Sequence, residues 1–108
     1  MPSRREKIEA MLVDQPQDIF LRYSLALELD KESRHDESQQ LLWQLAREST
    51  PYVPAFFRLG QQLAQLTRID EARAALRAGI EAARVQNDQH AAGEMSELLA
   101  SLGSLGEG

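Results

Sequence analysis

The chain has 108 residues, enough for one domain with a single hydrophobic core and little margin. It contains no cysteine, which excludes disulfides and thiolate chemistry and fits a reducing compartment. Seventeen acidic against 12 basic residues leave a net charge of −5, so the clustered cations that bind a phosphate backbone are missing and no nucleic acid is expected.

The first predicted helix covers 4–14, in "SRREKIEAMLVDQP". Ser3 stands three residues before Glu6, the spacing of a capping box. The basic start is not followed by an apolar run, so no secretory signal is expected, and no stretch approaches the length of a membrane span. A cytoplasmic location is the expectation. The second helix, 18–32, carries Leu25 and Leu29 on a packing stripe. Phe20, Tyr23 and Leu27 form a second stripe at i, i+3 and i+7. In the third, 34–49, Leu41, Leu42, Leu45 and Ala46 share one face, from which Trp43 projects away. The fourth, 52–66, places Phe56, Leu59, Gly60 and Leu63 at three- and four-residue steps, while Phe57, Gln61 and Ala64 continue a separate line. The fifth covers 68–85. In the sixth, 88–102, Asp88 reads as an N-cap, and Met95, Leu98, Leu99 and Leu102 share a face with Glu94 and Glu97 outside it. Residues 103–108 read as a frayed tail.

The chain repeats itself at an interval of 34. "HDESQQLL" and "IDEARAAL" align, and the same shift superposes Leu25 on Leu59, Leu29 on Leu63, Arg34 on Arg68 and Leu42 on Leu76. Ser33 and Thr67 each stand three before an aspartate, Asp36 and Asp70, and are expected to cap the third and fifth helices. A 34-residue helix–turn–helix with bulky, bulky, small, bulky residues early and small, bulky, small residues later resembles the tetratricopeptide repeat. In the second unit these positions are Phe56, Leu59, Gly60, Leu63, Ala72, Leu76 and Gly79. In the first, Leu25, Ala26, Leu29, Ser38 and Leu42 agree, but Arg22 replaces a large apolar residue and Leu45 a small one. The register gives one domain over 3–102: an N-terminal half-repeat helix at 4–14, repeat one at 17–50, repeat two at 51–84 and a capping helix at 88–102. The chain resembles short two-repeat bacterial proteins of this family.

That resemblance implies an all-α solenoid fragment of about six antiparallel helices. It also implies a non-catalytic adaptor that binds another protein or a peptide, with first helices lining a concave groove and second helices forming the convex back. The expected groove residues are Phe20, Tyr23, Leu27, Phe57, Arg58, Gln61 and Ala64, with Tyr23 and Phe57 side by side on neighbouring helices. The plainer alternative tucks Phe20 and Tyr23 under the N-terminal helix and makes Phe57 core. Trp43 either offers a second surface on the back or leans on the N-terminal helix. The Lys, Asn and Arg set of chaperone-type carboxylate clamps is missing, so an apolar or mixed ligand is expected over an acidic tail. Two rivals remain: a homodimer seam formed by the same apolar face, and a tail whose Leu102 and Leu105 fold back into the groove. No catalytic residue, cofactor or metal is expected. His90 and Glu94 sit i, i+4, but no second histidine pair or cysteine completes a ligand set, and no glycine-rich phosphate loop exists.

Overall fold

A computed structural model describes residues 1–103. Six helices follow one another: α1 Arg4–Asp14, α2 Ile19–Lys31, α3 His35–Ala46, α4 Val53–Gln65, α5 Ile69–Val85 and α6 Gln89–Ser101. No strand occurs among the described residues. Each helix packs on its successor, and α4 also reaches α6, so the helices stack as successive hairpins 46 × 31 × 18 Å overall. No described helix is long and apolar enough to cross a membrane.

One helix departs from its predicted bounds by more than a residue at an end. α3 stops at Ala46 instead of 49, because the Leu45 carbonyl accepts the Tyr52 amide at 3.0 Å and the chain turns ahead of Pro51. The tail expected at 103–108 lies, beyond Gly103, outside the described residues, as does the fold-back of Leu105. Leu102 is buried in the core, and its carbonyl accepts from Arg73 at 2.6 Å, so it is not a groove pseudo-ligand.

Side chains cap three helix starts, those of α1 and α6 as expected and that of α2 in addition. Ser3 and Glu6 exchange hydrogen bonds of 3.1 and 3.0 Å, and these bonds, chiefly the one from the Ser3 amide, hold the Glu6 carboxyl below the usual carboxylate range. Asp18 and Asp88 accept the amides of Leu21 and Ala91 at 2.8 and 3.1 Å.

Ser33 and Thr67, however, do not cap α3 and α5. Both adopt left-handed backbone, with φ of 63° and 58°, and an N-cap needs an extended one. Instead they terminate α2 and α4. Arg34 N donates to the Leu29 carbonyl at 2.9 Å and Ser33 N to Asp30 at 3.0 Å, the paired bonds of a Schellman turn. The same pair recurs at Arg68–Leu63 and Thr67–Ala64, and a third time at Asp88–Ala83 and Asn87–Arg84. The repeated arginines serve the next helix: Nη2 of Arg34 and of Arg68 lies 2.7 and 2.6 Å from Glu37 and Glu71.

Between the helices the core is aliphatic, with Leu42, Leu45, Leu59, Leu63 and Leu76 fully buried. Two of its buried polar side chains are tied together, although Gln62 Oε1 and Gln39 Nε2 find no partner. Ser38 Oγ donates to the Ala26 carbonyl at 2.6 Å and accepts from Gln62 Nε2 at 2.8 Å, linking α2, α3 and α4. Arg22, standing where the repeat favours a large apolar residue, is paired with Glu48. Two glycines set the closeness of the packing. A Cβ on Gly60 would lie 2.4 Å from Leu76 Cδ2. One on Gly79 would lie 2.4 Å from Phe56 Cβ and 2.5 Å from Met95 Sδ.

These contacts predict three outcomes in urea unfolding. Gly79→Ala lowers stability by about 1–3 kcal/mol, because Phe56 Cβ cannot swing aside. Gly93→Ala, where nothing lies within 4 Å, raises it by about 1 kcal/mol through helix propensity. Thr67→Gly also raises it by about 1 kcal/mol, relieving a β-branched residue of left-handed backbone. A neutral Gly79→Ala variant contradicts the tight α4–α5–α6 contact.

Candidate binding groove

α2, α4 and α6 alternate with α3 and α5 along the stack, so their free faces lie on one flank. A cavity of about 320 Å³ opens there. Four of the predicted groove residues border it: Tyr23 from α2, and Phe57, Arg58 and Gln61 from α4. Helix geometry explains the α4 set. Phe56 is buried core, and the next residue is turned about 100° away, which carries the Phe57 ring out of the core stripe. Tyr23 and Phe57 are both half-buried, packed against the core on one side and bordering the cavity on the other. Neither ring is sealed under another helix.

The groove also has walls that sequence reasoning missed. Val53 and Pro54 at the start of α4 border it, as do Ala91, Glu94 and Met95 of α6. The repeat interval contained a signal for one of them, since 34 residues beyond Phe57 is Ala91. α6 reads as a cap in the sequence, yet it packs on α5 and α4 where the first helix of another repeat would sit. Tyr52 was missed as well. Its ring meets Tyr23 edge to face, with centroids 5.3 Å apart and planes at 71°. Burial, and secondarily Tyr23, pushes the Tyr52 hydroxyl pKa upward.

One cation stands out in this wall. Arg58 Nε is buried without a hydrogen-bond partner, and its guanidinium makes no ion pair among the described residues. The nearest acids around the cavity are engaged elsewhere: Asp88 caps α6, and Glu94 lies 2.9 Å from His90 Nε2. No three metal-ligating side chains come together among the described residues.

Three predicted groove residues lie apart from the cavity. Phe20, 71% exposed, borders a different cleft between α1 and α2. Leu27 and Ala64 are half-buried and do not border the groove. Trp43 is half-buried on the opposite side, with the Arg47 guanidinium 5.1 Å from its ring centroid. It borders a polar depression shared with Gln39, Gln40 and Arg68, so its neighbours there come from α3 and the start of α5 and not from α1.

No family model and no curated protein matches the chain. Two solved structures are similar to it. One is a tetratricopeptide repeat domain protein from Salinibacter ruber, solved by NMR in solution, with 29% identity and a TM-score of 0.79 over 86% of this chain and 94% of that one. The other is a protein from Bordetella parapertussis, also solved in solution, with 28% identity and a TM-score of 0.79 over 95% of this chain and 90% of that one.

A buried donor without an acceptor costs about 1–3 kcal/mol. Arg58→Met keeps the packing stem and removes that donor, so the variant is expected to unfold at higher urea by about 1 kcal/mol. A loss of stability instead means that an interaction of the guanidinium within the chain holds the fold.

Proposed function

Starting from a tetratricopeptide-repeat fold, in general a protein-interaction module, we propose that this protein is a non-catalytic adaptor. It holds a peptide segment of another protein in the groove between α2, α4 and α6. One observation carries this reading: two half-buried aromatic rings and an arginine with an unmet buried donor border the same cavity. Rings with a fixed buried edge lose little entropy when a ligand covers the other, and they favour an apolar side chain. Arg58 adds a directed requirement. A carbonyl or carboxylate of the bound segment placed beside it would complete its hydrogen bonding in a partly dry site. Gln61 supplies a neutral amide one turn further along α4, suited to the backbone of the segment.

The ligand expected from this surface is mixed: one apolar anchor between Tyr23 and Phe57, and one acceptor at Arg58. The Met95 and Val53 side chains floor the site, and Glu94 disfavours a ligand that is acidic throughout. Self-association through this same face is the competing arrangement, and the test separates the two.

Peptides selected from a displayed random library against the wild-type chain are the direct test. Tyr23→Ala combined with Phe57→Ala is expected to weaken the selected peptides by at least about tenfold, with circular dichroism unchanged. Arg58→Met weakens those that carry an acceptor beside the apolar anchor. Unaltered binding by the double variant removes the groove from consideration. A concentration-dependent dimer that the double variant abolishes assigns the face to self-pairing.

A further inference from the structure

The apolar surface that the fold leaves open is concentrated at one end. Met11, Val13 and Phe20, well exposed, and Ile19, less so, belong to α1 and α2, while Val85 at the end of α5 is exposed apart from them. Between α1 and α2 lies a cleft of about 470 Å³ whose α1 wall is Arg4, Lys7, Ile8 and Met11. The repeat interval shows what this stripe is. Adding 34 gives Ser38, Leu41, Leu42 and Leu45; adding it again gives Ala72, Ala75, Leu76 and Gly79. In α3 and α5 these positions face the hairpin partner: the Ser38 hydroxyl bonds to the Ala26 carbonyl of α2, Gly60 of α4 lies against Leu76, and Phe56 against Gly79. All are buried except the half-buried Leu41. On α1 no helix beyond α2 packs on the stripe among the described residues: Ile8 is already buried, at 5% exposure, but Met11 is 50% exposed.

The geometry points to the α1–α2 cleft as a docking slot for an amphipathic helix of another protein, one with a bulky–small–bulky stripe and an acidic C-terminal turn. The stripe follows from the two filled slots. Leu76 accepts only a small residue above it, Gly60, with Phe56 and Leu63 on either side, and Ile8 is the counterpart of Leu76. The charge follows from the two departures. Arg4 and Lys7 stand where the filled slots have Ser38 and Leu41, or Ala72 and Ala75, making the end of the slot beside the N-terminus of α1 cationic. Lys7 has no ion pair among the described residues, and Arg4 reaches Glu28 from a largely exposed position. A helix lying antiparallel to α1, as α2 lies to α3, sets its C-terminus at this end. There both its carbonyl dipole and acidic side chains meet the cations. A second copy would bring its own Arg4, Lys7, Ile8 and Met11 to this cleft, a stripe without the small residue that the slot selects, and self-pairing is one outcome of the test.

The slot is independent of the groove, and a defined probe tests it: a synthetic peptide with the sequence of residues 17–32, which joins Leu25, Ala26 and Leu29 to Glu28, Asp30 and Glu32. Titrated into the ¹⁵N-labelled full chain, it is expected to shift the amides of Lys7–Met11 and Phe20–Ser24. Lys7→Glu in the protein, or Glu28→Gln with Asp30→Asn and Glu32→Gln in the peptide, is expected to weaken binding about tenfold. Phe57→Ala leaves it unchanged. The proposal is overturned by no binding at millimolar peptide, equal affinity for the neutral peptide, shifts confined to α4 and α6, or shifts spreading through α3 that signal displacement of the protein's own α2. Shifts of the same α1 amides that grow with protein concentration alone overturn it in favour of self-pairing.

Discussion

Close approach of helices at residues without side chains sets the geometry of this molecule. Gly60 lets α4 settle onto Leu76, and Gly79 lets α5 accept Phe56 and Met95 together. A methyl group at either place would intrude to 2.4 Å, well inside contact distance. That closeness aligns α2, α4 and α6 along one flank, because each hairpin can lie on the next only when its own two helices are tightly paired. The groove is therefore a by-product of core packing. Its width depends on two glycines that do not line it.

Most polar groups inside the fold are paired; among the described residues three buried side-chain atoms are not, Gln39 Nε2, Gln62 Oε1 and Arg58 Nε. Ser38, Gln62 and Ala26 are linked in a buried chain of hydrogen bonds across three helices, and Arg22 is matched by Glu48. The three Schellman turns satisfy the carbonyls at the ends of α2, α4 and α5 with backbone alone. Of the three unpaired side chains only Arg58, with a buried Nε and no acceptor, stands in the wall of the cavity. Departures of this kind collect at functional sites, where stability is traded for a ligand's contribution.

The two ends of the stack are unlike. α6 covers the α4–α5 hairpin, buries Met95 and Leu102, and turns Glu94 and Glu97 outward. α1 covers one side of α2 but presents a repeat-type packing stripe to nothing else among the described residues. A solenoid whose units bury their faces only against neighbours needs both ends closed. The exposed Met11 and Phe20 mark the end that is not. The same reasoning explains why Phe20, on the stripe of Tyr23 in the sequence, parts from it in space. Tyr23 lies between α2 and α4, whereas Phe20 sits one turn back toward α1.

Residue identity alone settled the periodic features: six helices, the 34-residue interval, the bulky–small pattern and the position of Phe57 beside a core stripe. These are local, since a 3.6-residue period and a small residue at a fixed offset are visible without knowing what they touch. The choice between capping α3 and ending α2 at Ser33 was tertiary in origin, because a serine before an acidic turn suits both until the backbone shows a positive φ. The far wall of the groove was decided in the same way. α6 lacks the repeat's signature, and only its packing on α4 and α5 brings Ala91 and Met95 opposite Tyr23. The isolation of the Arg58 guanidinium is likewise legible only in three dimensions, for whether a charge finds a partner depends on neighbours distant in the chain.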